Sequence, residues 1–255
     1  MNKIEDLFKK RSGDILNIYF TAGYPELAST TGILTALQNY GADLIEIGMP
    51  YSDPLADGPV IQASSMKALQ NGMTIATLLE QLRSFKPQLK VPLVLMGYMN
   101  PVLQYGFERF CADASEAGVS GLIIPDLPWL EYETGYREIV KKYGLDFIFL
   151  VTPETTEDRV RKLDKLSSGF VYAVSSSSTT GTDKNMNKVA TYLERLRSYQ
   201  LKNPVLVGFG IKDKASFREA CRYANGAIIG TAYIQALKQG PVEESTRKFL
   251  EGILN

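Results

Sequence analysis

The chain has 255 residues, 45% of them hydrophobic, close to the roughly 250 residues that one (β/α)8 barrel requires and enough to fill one large core. Lysine plus arginine equals aspartate plus glutamate, at 28 each, so no charge excess points to nucleic acid or an anionic membrane as partner. Histidine is absent. That excludes serine–histidine hydrolases, histidine-ligated metal aldolases and histidine general bases, and leaves proton transfer near neutral pH to carboxylates, tyrosine, lysine or cysteine with a shifted pKa.

From the start, residues Met1 to Arg11 mix Lys3, Glu5, Asp6, Lys9, Lys10 and Arg11 with Ile4, Leu7 and Phe8. They contain no apolar signal-peptide stretch, and no run anywhere is long enough to span a bilayer, so a soluble, cytoplasmic protein is expected. Short apolar runs then recur at Ile15–Phe20, Leu44–Ile47, Leu93–Met96, Leu122–Ile124, Phe147–Val151, Phe170–Val174, Val205–Val207 and Ala227–Ile229. Most are apolar throughout, as strands buried on both faces are. Helical spacing fills the gaps between them: Ile33, Leu37 and Tyr40; Leu78, Leu79 and Leu82; Val160, Leu163 and Leu166; Val189, Tyr192, Leu193 and Leu196. The longest connection, after the second run, has room for extra helical structure around 59–85. Eight alternating units predict a parallel (β/α)8 TIM barrel forming one domain over residues 1–255, although a doubly wound open sheet shares the alternation. The two cysteines, Cys111 and Cys221, have no metal or redox spacing and read as small core residues of a reducing compartment.

In such a barrel the chemistry belongs at the C-terminal ends of the strands. The second run places Glu46 between Ile45 and Ile47, on the same face as Leu44 and Gly48. A carboxylate buried there unpaired costs several kcal/mol as a rough figure, unless a raised pKa neutralises it. That shift makes a proton donor useful at neutral pH; the competing reading is a structural salt bridge to a neighbouring lysine or arginine. The following loop carries Asp53 and Asp57, stiffened by Pro50, Pro54 and Pro59, either to hold a carboxylate over a site or as a solvated turn. Gly208-Phe209-Gly210 after the seventh run and Gly230-Thr231 after the eighth suit a phosphate site, since barrels frequently bind phosphate at these two loops. The segment Ser175-Ser176-Ser177-Ser178-Thr179-Thr180-Gly181-Thr182 has nothing apolar before Met186 to anchor it, so it reads as a lid or as a disordered loop.

The stretch Ile45-Glu-Ile-Gly-Met-Pro-Tyr-Ser-Asp-Pro-Leu-Ala-Asp-Gly58 closely resembles the signature of the tryptophan synthase α-subunit family. The resemblance continues through Phe20-Thr21-Ala22-Gly23-Tyr24-Pro25, Met96-Gly97-Tyr98-Met99-Asn100-Pro101, Ile124-Pro125-Asp126-Leu127-Pro128, Gly208-Phe209-Gly210-Ile211 and Gly230-Thr231. It implies retro-aldol cleavage of indole-3-glycerol phosphate to indole and glyceraldehyde 3-phosphate by a lyase of tryptophan biosynthesis. It also implies a β subunit in an α2β2 hetero-tetramer, with pyridoxal phosphate in that partner and no cofactor or metal in this chain. Residue by residue, Glu46 matches the family acid that moves both protons, and Asp57 the acid that takes up the charge developing at the indole N–H. Tyr19 and Tyr172 match the walls of the indole pocket, with Tyr19 standing where phenylalanine is common. Thr180 matches the lid threonine that meets Asp57; Gly181, Gly210, Gly230 and Thr231 match phosphate positions. Asp53, Pro54, Asn100 and Asp126 match partner-facing ones. The lid departs from the family's Ser-Arg-x-Gly-Val-Thr-Gly, lacking the arginine and the first glycine. No lysine lies in any of the eight runs, which argues against a Schiff-base aldolase. Two other readings stay open: a different phosphate-binding barrel, and a binding module that activates a partner with little catalysis of its own.

Overall fold

The computed structural model describes residues 2–54, 57–174, 183–208 and 210–255, with side chains omitted for 183–188. Its strands are β1 (Ile15–Thr21), β2 (Leu44–Gly48), β3 (Leu93–Met96), β4 (Gly121–Ile123), β5 (Asp146–Phe147), β6 (Leu150–Val151), β7 (Val171–Val174), β8 (Val205–Gly208) and β9 (Gly226–Ile229). All pair in parallel, in the order β5-β4-β3-β2-β1-β9-β8-β7-β6. The two ends of that order, β5 and β6, are consecutive in the chain. They are two pieces of one strand, and through them the sheet curls back on itself. The architecture is the expected barrel.

The fifth apolar run divides into two pieces for a local reason. The Ser168 and Ser167 hydroxyls accept from the backbone N–H groups of Phe147 (3.0 Å) and Phe149 (3.2 Å), which leaves no donor there for a strand ladder. On the other side Ile148 N–H still reaches Leu122 O at 2.9 Å, and beyond the break Tyr172 N–H reaches Phe149 O at 3.0 Å. Phe147 and Phe149 pack with Tyr132 in one aromatic group, Tyr132 stacking on Phe147 with centroids 4.1 Å apart.

Helices follow where the spacing placed them: Ser29–Tyr40, Ile75–Phe85, Glu157–Leu166 and Asp183–Ser198. The long second connection holds two, Pro59–Gln70 and Ile75–Phe85. The first has proline at its start, where a missing N–H costs nothing, and the second is capped by the Thr74 hydroxyl accepting from Thr77 N–H. The charged N-terminal segment forms an amphipathic helix, Lys3–Lys10, with acids in its first turn and lysines in its last, matching the helix dipole. Asn2 caps it and also donates to Ser120 O at 2.8 Å, just before β4, so the fully buried Ile4 lies beside Gly121 at the strands' N-terminal ends. Cys111 is buried; Cys221 is only half-buried, and both thiols are free. No helix among the described residues is long and apolar enough to cross a membrane.

The C-terminal helix Val242–Leu254 packs against Ser29–Tyr40. Its Gly252 is exposed, and an added Cβ would meet nothing within 4 Å. Gly252→Ala is therefore expected to stabilise the protein by about 0.5 kcal/mol, a rise of roughly 1–2 °C in Tm, because alanine loses less backbone freedom in a helix. Calorimetry of the pair checks this, and an unchanged or lower Tm contradicts it.

Candidate active site

β1 and β2 are buried along their whole length, so any polar side chain between them stands out. Their register sets Tyr19 opposite Glu46 and Thr21 opposite Gly48. Glu46 is completely buried, and its only hydrogen bond among the described residues is to Asn17, whose Nδ2 donates to Oε2 at 3.0 Å. Glu46 Oε1 and Asn17 Oδ1 are both buried with no partner among the described residues. Removal from water pushes the Glu46 carboxyl up to about 8; the bond from Asn17 lowers it and the nearby negative charge of Asp57 raises it further. Burial thus favours the neutral acid form of Glu46 near neutral pH. Among the described residues neither Glu46 nor Asp57 is paired with a lysine or arginine, so the salt-bridge reading finds no support there.

Asp57 sits just before the helix that starts at Pro59. Gln62 Nε2 holds its backbone carbonyl at 2.8 Å. Burial raises its carboxyl as well, and the Tyr98 hydroxyl, donating to Oδ2 at 3.2 Å, partly offsets that. Tyr19 and Tyr172 lie near both carboxyls: both phenols are pushed up by burial, with Glu46 and Asp57 adding to the shift. Two bare glycines make room for them. A Cβ on Gly48 would lie 2.1 Å from the Tyr19 hydroxyl oxygen, and one on Gly208 would lie 2.3 Å from that of Tyr172. Both tyrosines therefore lie across the inner ends of neighbouring strands.

The loops after β2, β3 and β4 are tied together above the barrel. The Tyr51 and Tyr98 rings lie 5.3 Å apart, and Asn100 Nδ2 donates to the Tyr51 hydroxyl at 3.1 Å. Both Asp126 carboxylate oxygens accept from Met99 N–H, at 2.9 and 3.1 Å, at the first turn of the helix Met99–Tyr105. Asp53, Asn100 and Asp126 are exposed and Pro54 is half-buried. Leu103 and Leu130, half exposed, extend the same loops with apolar surface.

Gly210 has φ +70°, a left-handed conformation that suits glycine, with open space where a Cβ would stand. Gly230 precedes the short helix Thr231–Ala236 at the end of β9, and Thr231 is exposed. These two loops end adjacent strands, β8 and β9. Thr180 and Gly181, with the rest of the expected lid, lie outside the described residues. No group of three or more cysteine, aspartate or glutamate side chains among the described residues is placed to hold a metal ion.

Two participants escape the sequence reading. Asn17 sits in an apolar run with the same parity as Tyr19, and that polar interruption is its only signal. Tyr98 belongs to a recognisable motif, but its donation to Asp57 depends on how two loops meet.

Residues 6–251 match the family model described as tryptophan synthase alpha chain. The chain is 48% identical to the tryptophan synthase alpha chain of Parabacteroides distasonis, covering 99% of both chains. It is 50% identical to that of Flavobacterium johnsoniae, covering 96% of this chain and 98% of the relative. Among solved structures it is similar to tryptophan synthase subunit alpha from Legionella pneumophila (TM-score 0.90, 31% identity, 99% and 97% covered). It is likewise similar to a chain of M. tuberculosis tryptophan synthase in the aminoacrylate-bound form (TM-score 0.88, 31% identity, 99% and 98% covered).

Proposed function

The chain belongs to the tryptophan synthase alpha chain family, and from that premise we propose that Glu46 and Asp57 are the two acids with which it works. The reaction is the cleavage of indole-3-glycerol phosphate to indole and glyceraldehyde 3-phosphate, carried out with a β subunit as partner. The observation that carries the assignment is the Glu46 carboxyl: wholly buried, with no cation paired to it among the described residues, and close enough to Asp57 to feel its charge.

The chemistry follows from the protonation states. Breaking the bond between indole C3 and the glycerol carbon needs a proton on C3 and loss of the adjacent hydroxyl proton. Glu46, protonated below about 8, gives its proton to C3. The resulting carboxylate then takes the hydroxyl proton as the carbon–carbon bond breaks, and its electrons restore the aromatic ring. The carbonyl of glyceraldehyde 3-phosphate forms in the same event, and Glu46 returns to its starting state. Between the two transfers the indole nitrogen carries positive charge, and Asp57, held by Tyr98, accepts a hydrogen bond from its N–H. Positioned groups of this kind supply roughly 10²–10⁴-fold each.

Tyr19 and Tyr172 form the walls against which the indole lies, and Gly210, Gly230 and Thr231 are assigned to the phosphate, with Thr180 and Gly181 from the lid. Asp53, Pro54, Asn100 and Asp126 are assigned to the surface that meets the β subunit. Leu103 and Leu130 are placed there too, since half-exposed leucines in those loops favour an apolar partner face. Pyridoxal phosphate belongs, in this reading, to the β subunit, and residues 1–255 act as one barrel domain of a cytoplasmic α2β2 assembly.

The test is direct. Purified chain mixed with indole-3-glycerol phosphate is expected to release indole and glyceraldehyde 3-phosphate in equal amounts, and faster when the β subunit is added. No indole in either case would favour the reading of the chain as an activator alone.

A further inference from the structure

We infer that Asn17 is a positioning residue that serves Glu46 in both of its protonation states, donating to the carboxylate through Nδ2 and accepting a hydrogen bond from the acid O–H through Oδ1. The inference rests on the assignment of Glu46 as the proton carrier. Asn17 and Glu46 are both completely buried and joined by the Nδ2–Oε2 bond of 3.0 Å. The two oxygens left over, Asn17 Oδ1 and Glu46 Oε1, are buried acceptors without a donor among the described residues. Buried polar atoms rarely stay unpaired, and each one needs a physical reason. Here one hydrogen answers for both. A carboxylic acid and a primary amide are complementary: the amide N–H donates to one carboxyl oxygen while the acid O–H donates to the amide oxygen. The first arm is present, and the proposed acid proton on Oε1 makes the second.

The pairing matters at the step where the proton leaves. Once Glu46 has protonated the substrate it is a buried anion, and the Asn17 N–H remains on it as a charge-assisted bond. When the proton returns to Glu46, Oδ1 accepts a hydrogen bond from the re-formed acid O–H. Among the described residues no second donor reaches this carboxyl. The titratable groups that face it are Asp57, Tyr19 and Tyr172, none of them cationic. The residues beside Glu46 on β2 are apolar, and Val94 is its partner on β3.

Activity requires the acid form at the outset, so turnover falls as pH rises through the Glu46 pKa. Asn17→Leu, branched at the same carbon but unable to hydrogen-bond, removes both arms. The bond to the anion is the stronger, so its loss raises the Glu46 pKa further. The alkaline limb of kcat is expected to move up by about one pH unit, with kcat at its plateau falling about tenfold and KM little changed. Indole release is measured from pH 6 to 10 for the parent, Asn17→Leu and Glu46→Gln. In the unmodified protein the ¹⁵N and ¹H resonances of the Asn17 side-chain amide are expected to titrate with the midpoint of that limb, and to stay flat in Glu46→Gln. This second measurement needs no Asn17 variant to fold. An inactive Glu46→Gln beside an unmoved limb in Asn17→Leu, or amide resonances indifferent to pH in the parent, overturns the role of Asn17 alone. Near-parental turnover by Glu46→Gln overturns the assignment beneath it.

Discussion

Glu46→Gln is expected to abolish indole formation, by about 10³-fold or more, because one side chain makes both proton transfers and an amide can make neither. The variant is also expected to gain stability relative to the parent as pH rises, and that gain separates lost chemistry from a lost fold. An unfolded glutamate titrates near about 4.3, whereas Glu46 in the folded protein is pushed up to about 8. Between those values the folded state binds more protons than the unfolded state, so the contribution of Glu46 to stability falls with rising pH. It is flat below the lower value, where both states are protonated, and flat again above the upper one. The full span is worth a few kcal/mol, since each tenfold difference in proton affinity corresponds to about 1.4 kcal/mol. Glutamine carries no such dependence. Urea titrations of both proteins at pH 5, 6.5, 8 and 9 should show a stability difference that grows up to about pH 8 in favour of the variant and then levels. A difference independent of pH would mean that Glu46 is not a neutral acid in the folded protein. Near-parental turnover would mean that it is not the proton carrier.

That the acid could be found from the sequence while its neighbour could not has a physical explanation. Glu46 interrupts a run of isoleucines with a full charge, and a charge inside a strand buried on both faces demands an account. Asn17 interrupts its run with a neutral amide, whose cost becomes visible only when the structure leaves its oxygen unpaired. The strands themselves were legible because burial on both faces makes them continuously apolar. The break between Phe147 and Leu150 was not, since it depends on Ser167 and Ser168, beyond the strand in sequence, turning their hydroxyls onto its backbone. Asp126 shows a similar limit. Its place in a recognisable motif pointed outward to a partner, and the carboxylate is exposed, yet it also holds Met99 N–H and so fixes the loop that carries Tyr98. The same two oxygens that make Asp126 exposed polar surface also hold the backbone of the neighbouring loop. Gly210 and Gly230 could be placed at the ends of adjacent strands from position alone, because β8 and β9 pair side by side.

Gly48→Ala and Gly208→Ala are expected to cost the site far more than the fold. A methyl group at Gly48 would stand 2.1 Å from the Tyr19 hydroxyl oxygen and 2.6 Å from Cζ. At Gly208 the Tyr172 oxygen lies 2.3 Å away, with two ring carbons at 2.7 Å. These are clashes with the ends of side chains, so the strand backbones can stay in register while the rings give way. Each ring is rooted on a buried strand beside the carboxyls, so a displaced ring is expected to shift within the space proposed for the indole. Overpacking of this kind costs about 1–3 kcal/mol of stability, whereas displacing a positioning wall by about 1 Å is worth about 10² in kcat/KM. Removing the phenol oxygen relieves only part of the strain, because the ring carbons still lie inside contact distance of the new methyl. Tyr172→Phe combined with Gly208→Ala should therefore recover some activity relative to Gly208→Ala without reaching that of Tyr172→Phe alone. Indole turnover and thermal melts on the four proteins decide the matter. If Gly208→Ala keeps parental kcat/KM, the bare inner face of β8 is not what sets Tyr172, and the pocket is more yielding than these distances allow.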